Sequence, residues 1–511
     1  MAFITTDPMS LLAIATASWV VWVVGSVVYR LFLHPLASFP GPKLAIATYC
    51  YEWYYDLLRG GQYTFKLKEL HEKYGPVVRL NPDELHFNDP HYYDEIFNNK
   101  NGKVEKPYKV ANTFGPYPAA IGTVDHDLHR IRRGALNPFF AKRSVVEILP
   151  FLQDITERLS DRFDAASKTA EPVNLKYSYA ALTLDVMNEY CFSRDTQTVM
   201  KSDYGRKTFD DFDTFLGMGL ANIHIPWLMK AIYSLPDWFS RIINPAIGDM
   251  LDVREGLAKL VEDIRHGNDF SYEKSGHRTI FHDLLESRLP PSELGRDRLR
   301  DEAFSLVFAG AATTAYVLKT VSYFVAANPA MRQKLFQELK TVIPRRGDRP
   351  VLQDVEKLPY LTAVIQEGLR ISQPITHRMC RAFPDKALTY NGLTIPPGTA
   401  IHSTTLLLHE NEQLFQDPQA FKPERWLGEE GQELQRFLVP FARGTRACLG
   451  INLAWAELYL ILATIFRRFD FDVSGVVRQR DVDVAADIIL PVQAPDSPGT
   501  IVKALAIEDW V

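Results

Sequence analysis

Cysteine is scarce in this chain. Four occur in 511 residues, at positions 50, 191, 380 and 448, and no two form a Cys-x-x-Cys pair. That excludes a disulfide framework and argues against a structural zinc site. Basic charge is not in excess either: 57 Lys and Arg against 62 Asp and Glu give a net charge of −5. Nothing in the charge therefore points to nucleic acid as a partner. Asn-x-Ser/Thr sequons, internal repeats and low-complexity tracts are absent. The 32 Pro and 28 Gly follow no Gly-X-Y period, so a collagen-like polymer is excluded. With 46% hydrophobic and 23% charged residues, the chain is too apolar to be disordered and long enough to bury a large core around a cofactor.

One long apolar run stands out. Leu11 to Tyr29 holds 19 residues without a charge, which at ~1.5 Å per residue nearly crosses a ~30 Å hydrocarbon core. Trp19 and Trp22 lie mid-span rather than at its ends. A basic n-region and an A-x-A cleavage site are both missing, so a membrane anchor is the better reading than a signal peptide. Arg30, His34 and Lys43 follow the run and Asp7 precedes it. The positive-inside rule then places the rest of the chain in the cytosol. The expected organisation is an anchor over 1–33, a stiff proline-rich linker over 34–44 (prolines at 35, 40 and 42) and one large domain over 45–511.

Within that domain, Val77–Leu80 and Glu84–Phe87 read as strands around the turn Asn81-Pro82-Asp83. From about 125 to 345 helical patterns dominate. Residues 209–240 are aromatic-rich and fit either core packing or a membrane-touching lid. Residues 265–295 read as a polar surface loop. Arg296–Ala327 reads as one long helix, ended by Asn328-Pro329. Its centre, Ala309-Gly310-Ala311-Ala312-Thr313-Thr314, is made of poor helix formers, as either a tight helix crossing or a functional groove would require. Residues 386–405 read as strands joined by turns at Asn391-Gly392 and Pro396-Pro397-Gly398. A mainly α fold with a small β region follows.

Residues 439–450 read VPFARGTRACLG and precede an apolar helix over Ile451–Arg467. A thiolate at Cys448 would ligate a soft or borderline metal. Free N–H groups at the start of the following helix would stabilise that anion. Gly444 and Gly450 would let the backbone approach a flat ligand, and Arg446 could neutralise an acidic group on it.

Phe441, Gly444, Arg446, Cys448 and Gly450 fit F-x-x-G-x-R-x-C-x-G, and on them the chain resembles the cytochrome P450 family of haem-thiolate monooxygenases. Glu367-Gly-Leu-Arg370 resembles the family's E-x-x-R, and Phe421-Lys-Pro-Glu-Arg425-Trp426 its P-E-R-W segment. The resemblance covers essentially everything after the anchor. It implies haem b with Cys448 as the axial thiolate and a structural cluster of Glu367, Arg370 and Arg425. It also implies propionate contacts from His129, which replaces the usual Trp, and from Arg133. Arg381 is similarly implied, with Arg378 as its rival. Ala309, Gly310 and Thr313 match the family's oxygen-activating groove, but Ala312 stands where a carboxylate is usual.

The anchor and linker look like those of fungal endoplasmic-reticulum members resembling trichodiene-oxygenase-like enzymes. The implied function is monooxygenation of a lipophilic secondary metabolite, a terpenoid, polyketide or alkaloid-like compound, with electrons from NADPH-cytochrome P450 reductase. Ala312 keeps a second possibility open, ring closure, coupling or rearrangement without net oxygen insertion. A third is a non-enzymatic haem-binding sensor. Arg130, Arg132, Arg133, Lys142, Arg143 and Arg443 are expected to form a basic docking face for the reductase.

Overall fold

The computed structural model of the protein describes residues 8–98, 102–115 and 117–508. The apolar run forms helix α1, Pro8–Val28, continued by a π-helical turn at Tyr29–Leu33. No residue of α1 is buried. Its length and hydropathy make Pro8–Leu33 a candidate membrane span.

The described residues gather into two units. The first takes the chain up to Glu105 together with Arg378–Thr404. Its sheet runs Val77–Arg79, Glu84–Phe87, Ala400–Ser403, Met379–Arg381, with only the middle pair parallel. A separate hairpin pairs Leu388–Tyr390 with Leu393–Ile395. Asn391 and Gly392 turn it at φ 48° and 80°, the left-handed pair that a two-residue hairpin loop requires. The proline-rich segment is docked onto this unit: Leu36 and Phe39 are buried. A Cβ on Gly41 would sit 2.5 Å from the Arg79 carbonyl oxygen, so only glycine fits there. Arg79 is itself buried and donates to the carbonyls of Arg30 and Pro82.

The second unit, Lys106–His377 with Thr405 onward, is mostly helical. Its principal helices are α2 (His126–Leu136), α3 (Lys142–Thr169), α4 (Leu175–Phe192), α5 (Arg206–His224), α6 (Arg296–Ala326), α7 (Pro359–Ser372) and α8 (Ile451–Arg468). A small sheet places Ile501–Ala506 between Pro172–Asn174 and Phe469–Asp472, and a hairpin joins Ala486–Ile488 to Leu490–Val492. α6 is the spine, packed on α4, α7 and α8. Apolar residues surround α4, and it is buried on nearly every side. Glycines set two of these crossings. A Cβ on Gly310 would meet Met187 Sδ of α4 at 2.5 Å, and one on Gly368 would meet Val321 Cγ2 of α6 at 2.2 Å.

Two expectations change in detail. The polar 265–295 stretch is not merely a surface loop. It holds a short helix, Ile280–Leu285, whose Ile280, Phe281 and Leu284 are buried; their spacing is one helical face, hidden in sequence by polar neighbours. Over 209–243 the aromatic and aliphatic side chains are part buried and part exposed. α5 buries Phe209, Phe212 and Phe215, whereas Trp227, Trp238, Ile242 and Ile243 stand more than half exposed.

Candidate active site

The Cys448 loop is built by backbone constraints. Ala442 and Gly444 adopt φ 54° and 75°, a 3-10 turn spans Gly444–Arg446, and Cys448 N donates to the Phe441 carbonyl at 2.8 Å. Gly450 caps α8. The thiol of Cys448 is solvent-accessible, yet desolvation pushes its pKa up. The Gly450 N–H and the Arg133 guanidinium act in the opposite direction and favour the thiolate. A Cβ on Gly450 would meet nothing nearer than Phe140 at 4.0 Å. The protein's own packing therefore does not demand glycine there.

α2 starts at an Asp125 cap whose side chain accepts from Leu128 N at 2.7 Å. It buries His129 and presents Arg133, which donates to Asn137 Oδ1 and to the Ala447 carbonyl, both at 2.8 Å. Arg446 donates to the Thr123 and Val124 carbonyls, each at 2.7 Å. The Cys loop is thereby tied to the approach to α2 from both sides.

On α6, Ala309 is exposed, and Gly310, Ala312 and Thr313 are half-buried, within a helix otherwise mostly enclosed. Openness at the middle of a core helix marks an internal space. Thr313 Oγ1 donates to the Ala309 carbonyl at 2.9 Å. Gly310 has a packing reason in Met187, the tight crossing that the sequence left as one of two readings.

Glu367 is fully buried and collects donors. Arg370 reaches both its oxygens at 2.8 and 2.9 Å, and Arg425 Nε lies at 3.0 Å. Trp426 Nε1 and Lys422 N each add a bond of 2.9 Å. Arg370 also donates to the His409 carbonyl at 2.9 Å, and His409 Nε2 accepts from Val439 N at 3.1 Å. Burial lowers the His409 pKa to about 3, so the ring stays neutral and can accept. His409 thus connects the Glu367 cluster to the segment leading into the Cys loop. Sequence reasoning missed it, since a lone His carries no pattern.

In the first unit, Arg378 is spent on buried Glu52 and Asp56, at 2.9 and 2.8 Å. Arg381 is buried, donates to the Cys380 carbonyl and lies 4.9 Å from the Phe97 ring centre. The expected basic face is thinner than the sequence suggests. Arg132 is paired with Glu293 at 2.6 Å and Lys142 with Glu356 at 2.8 Å, while Arg130 and Arg143 stay exposed.

Two further buried ionisable groups escaped sequence reading, hidden in apolar helices. Glu457 of α8 is buried with Oε1 unpartnered, and burial raises its pKa to about 8 against the opposing influence of the Thr314 hydroxyl. Lys319 of α6 is buried with its Nζ unpartnered.

Comparison with known proteins assigns the class. The family model for cytochrome P450 matches residues 40–495. The chain is 40% identical over 521 residues to the cytochrome P450 monooxygenase tpcC of Cochliobolus heterostrophus, covering 98% of each chain. It is 36% identical to the tryptophan 6-hydroxylase fscE of Fusarium equiseti, with 92% of each covered. It is 35% identical to the N-acetyltryptophan 6-hydroxylase ivoC of Emericella nidulans, with 93% of each covered. This chain belongs to the cytochrome P450 family. It is a monooxygenase whose cofactor is haem with a cysteine-thiolate iron, and it takes a small-molecule substrate and a redox partner. An accessible but desolvated thiol, thiolate-favouring donors, a glycine without an internal packing reason and a basic rim of Arg133 and Arg446 fit that group.

Proposed function

We propose that Cys448 is the iron ligand, and that His129, Arg133, Arg446 and Arg381 hold the haem propionates. Phe441, Gly444 and Gly450 would shape the backbone against the ring. The observation that carries this reading is the Cys448 loop, whose accessible thiol is favoured as thiolate by the Gly450 N–H and the Arg133 guanidinium. Arg381 is preferred over Arg378 because Arg378 already serves two carboxylates. Glu367, Arg370 and Arg425 act structurally, fixing through His409 the segment that enters the loop.

When bound, the haem supplies dioxygen activation and insertion of one oxygen atom into substrate. The chain's own task is to deliver protons and exclude competing water. Ala312 offers no carboxyl. Thr313 supplies a hydroxyl, and Glu457, protonated at neutral pH, stands against the neighbouring Thr314 hydroxyl. This pair of alcohols with a buried acid behind it replaces the missing carboxylate at 312.

The substrate is a lipophilic secondary metabolite, a reading supported by the apolar side chains Phe209, Phe212 and Leu490 in the cavity against α6. Electrons come from an NADPH-dependent flavoprotein reductase docking near Arg130 and Arg143. α1 anchors the protein in the endoplasmic reticulum membrane with the catalytic body on the cytosolic side, supported by the basic residues that follow it. The test is spectroscopic and chemical. Reduced protein with carbon monoxide should show the red-shifted Soret band of a thiolate complex, and Cys448→Ala should lose it. Product formed under isotopically labelled dioxygen should carry one labelled oxygen; unlabelled product would favour ring closure or coupling.

A further inference from the structure

A cavity of about 240 Å³ lies in the second unit, against one face of α6. Ala312, Tyr316 and Lys319 line it from that helix. Ala312 and Lys319 are seven residues apart, two turns along one face, so ~10 Å separates their levels on the helix. The rest of the wall is mixed: Phe209 and Phe212 from α5 and Leu490 from the C-terminal hairpin are apolar, while Gln493 and Ser497 are polar.

The charges in the cavity do not cancel. Lys176 is paired with Asp213 at 2.7 Å, and Arg206 with Asp210 at 3.2 Å. Lys319 is left over: it is 1% exposed, its Nζ has no hydrogen-bond partner, and it lies 4.1 Å from the Tyr316 ring centre. Tyr316 accepts from Gln493 Nε2 at 2.8 Å, which leaves its own O–H to donate. An unpaired ammonium is costly to bury, and the cost is relieved by an anion. One positive centre and one hydroxyl donor beside the apolar side chains of this wall form a carboxylate site.

We propose that this cavity binds an apolar carboxylic acid, with Lys319 as counter-ion to its carboxylate and its apolar body extended along α6 toward Ala312. Thr313 does not line this cavity, so the acid is proposed as a ligand of the site independently of the function proposed above. Binding at Lys319 rests only on the cavity. The Lys319 pKa is lowered to about 7, chiefly by burial and further by Lys176, with Asp213 and Asp481 opposing. The ligand's carboxylate is ionised throughout the range where this amine titrates. Affinity should therefore be level below about pH 7 and fall roughly tenfold per unit above it, with uptake of a proton on binding.

The experiment is calorimetry on the haem-loaded enzyme, with 4-phenylbutyrate and its amide as probes. Wild-type protein should prefer the acid, and its binding heat at pH 8 should depend on the buffer's ionisation enthalpy. Lys319→Met should bind the acid roughly ten- to a hundredfold more weakly and the amide unchanged, while Lys319→Arg keeps most of the affinity. Equal wild-type affinity for acid and amide, or no proton uptake, overturns the proposal without recourse to any variant. Undiminished acid binding in Lys319→Met overturns it as well. The carbon monoxide spectrum and NADPH consumption are read in parallel. Acid that binds through Lys319 upholds the site whether or not it stimulates NADPH use.

Discussion

At the scale of single residues, the chemistry rests on a few side chains whose environments differ sharply. Thr313 is the surviving alcohol of the groove. Its replacement by Ala should lower product formed per NADPH consumed and raise peroxide release, on the scale of about 10²-fold or less because Thr314 remains. Equal ratios in the two proteins would remove Thr313 from proton delivery. Glu457 gives a pH signature. Burial raises its pKa to about 8, so the carboxyl carries its proton through neutrality and loses it as pH rises past that value. Coupling should fall along that limb in the wild type, and Glu457→Gln should show a flat profile there. A matching limb in the variant would assign the titration elsewhere.

At the scale of elements, α6 carries both a packing duty and a chemical one, and the two can be separated. Gly310→Ala places a methyl against Met187 and should cost about 1–3 kcal/mol of stability by overpacking. Met187→Ala added to it should recover much of that loss, a coupling readable in thermal unfolding as a double-mutant cycle. Additive losses would mean the glycine is kept for the groove rather than for the crossing. The Glu367 cluster allows a harsher test. Glu367→Ala strands Arg370 and Arg425 beside a buried void, at about 3–5 kcal/mol, and haem-loaded protein should fail to accumulate.

The strands at 77–87 and 388–403 were legible in the sequence because alternation and turn residues are local signals. So was the Cys448 loop, whose five positions lie within ten residues. Long-range partners were not legible. Nothing near Arg132 announces Glu293, 161 positions away, and nothing near Gly310 announces Met187. Glu457 and Lys319 read as ordinary helix charges until burial is known.

For the whole molecule, anchoring and electron supply are surface properties. Trp227, Trp238, Ile242 and Ile243 expose more apolar area than a solvated face needs. Protein lacking residues 1–33 should still bind phospholipid vesicles, and Trp238→Ser with Ile242→Ser should release it into the supernatant on sedimentation. Reductase docking should depend on Arg130 and Arg143 more than on the ion-paired Arg132 and Lys142. Reversal of the first two to Glu should slow reduction at low salt, and the difference should shrink as ionic strength rises.

The distribution of thiols has a practical consequence. Cys191 and Cys380 are buried, while Cys50 and Cys448 are accessible. A thiol reagent should therefore titrate two equivalents in folded, cofactor-free protein and, with Cys448 as the proposed iron ligand, one in fully loaded protein. The reaction becomes a stoichiometric gauge of cofactor occupancy that needs no absorbance standard. In the loaded enzyme the single equivalent left, Cys50, is a unique handle for attaching a reporter dye a short way beyond the anchor.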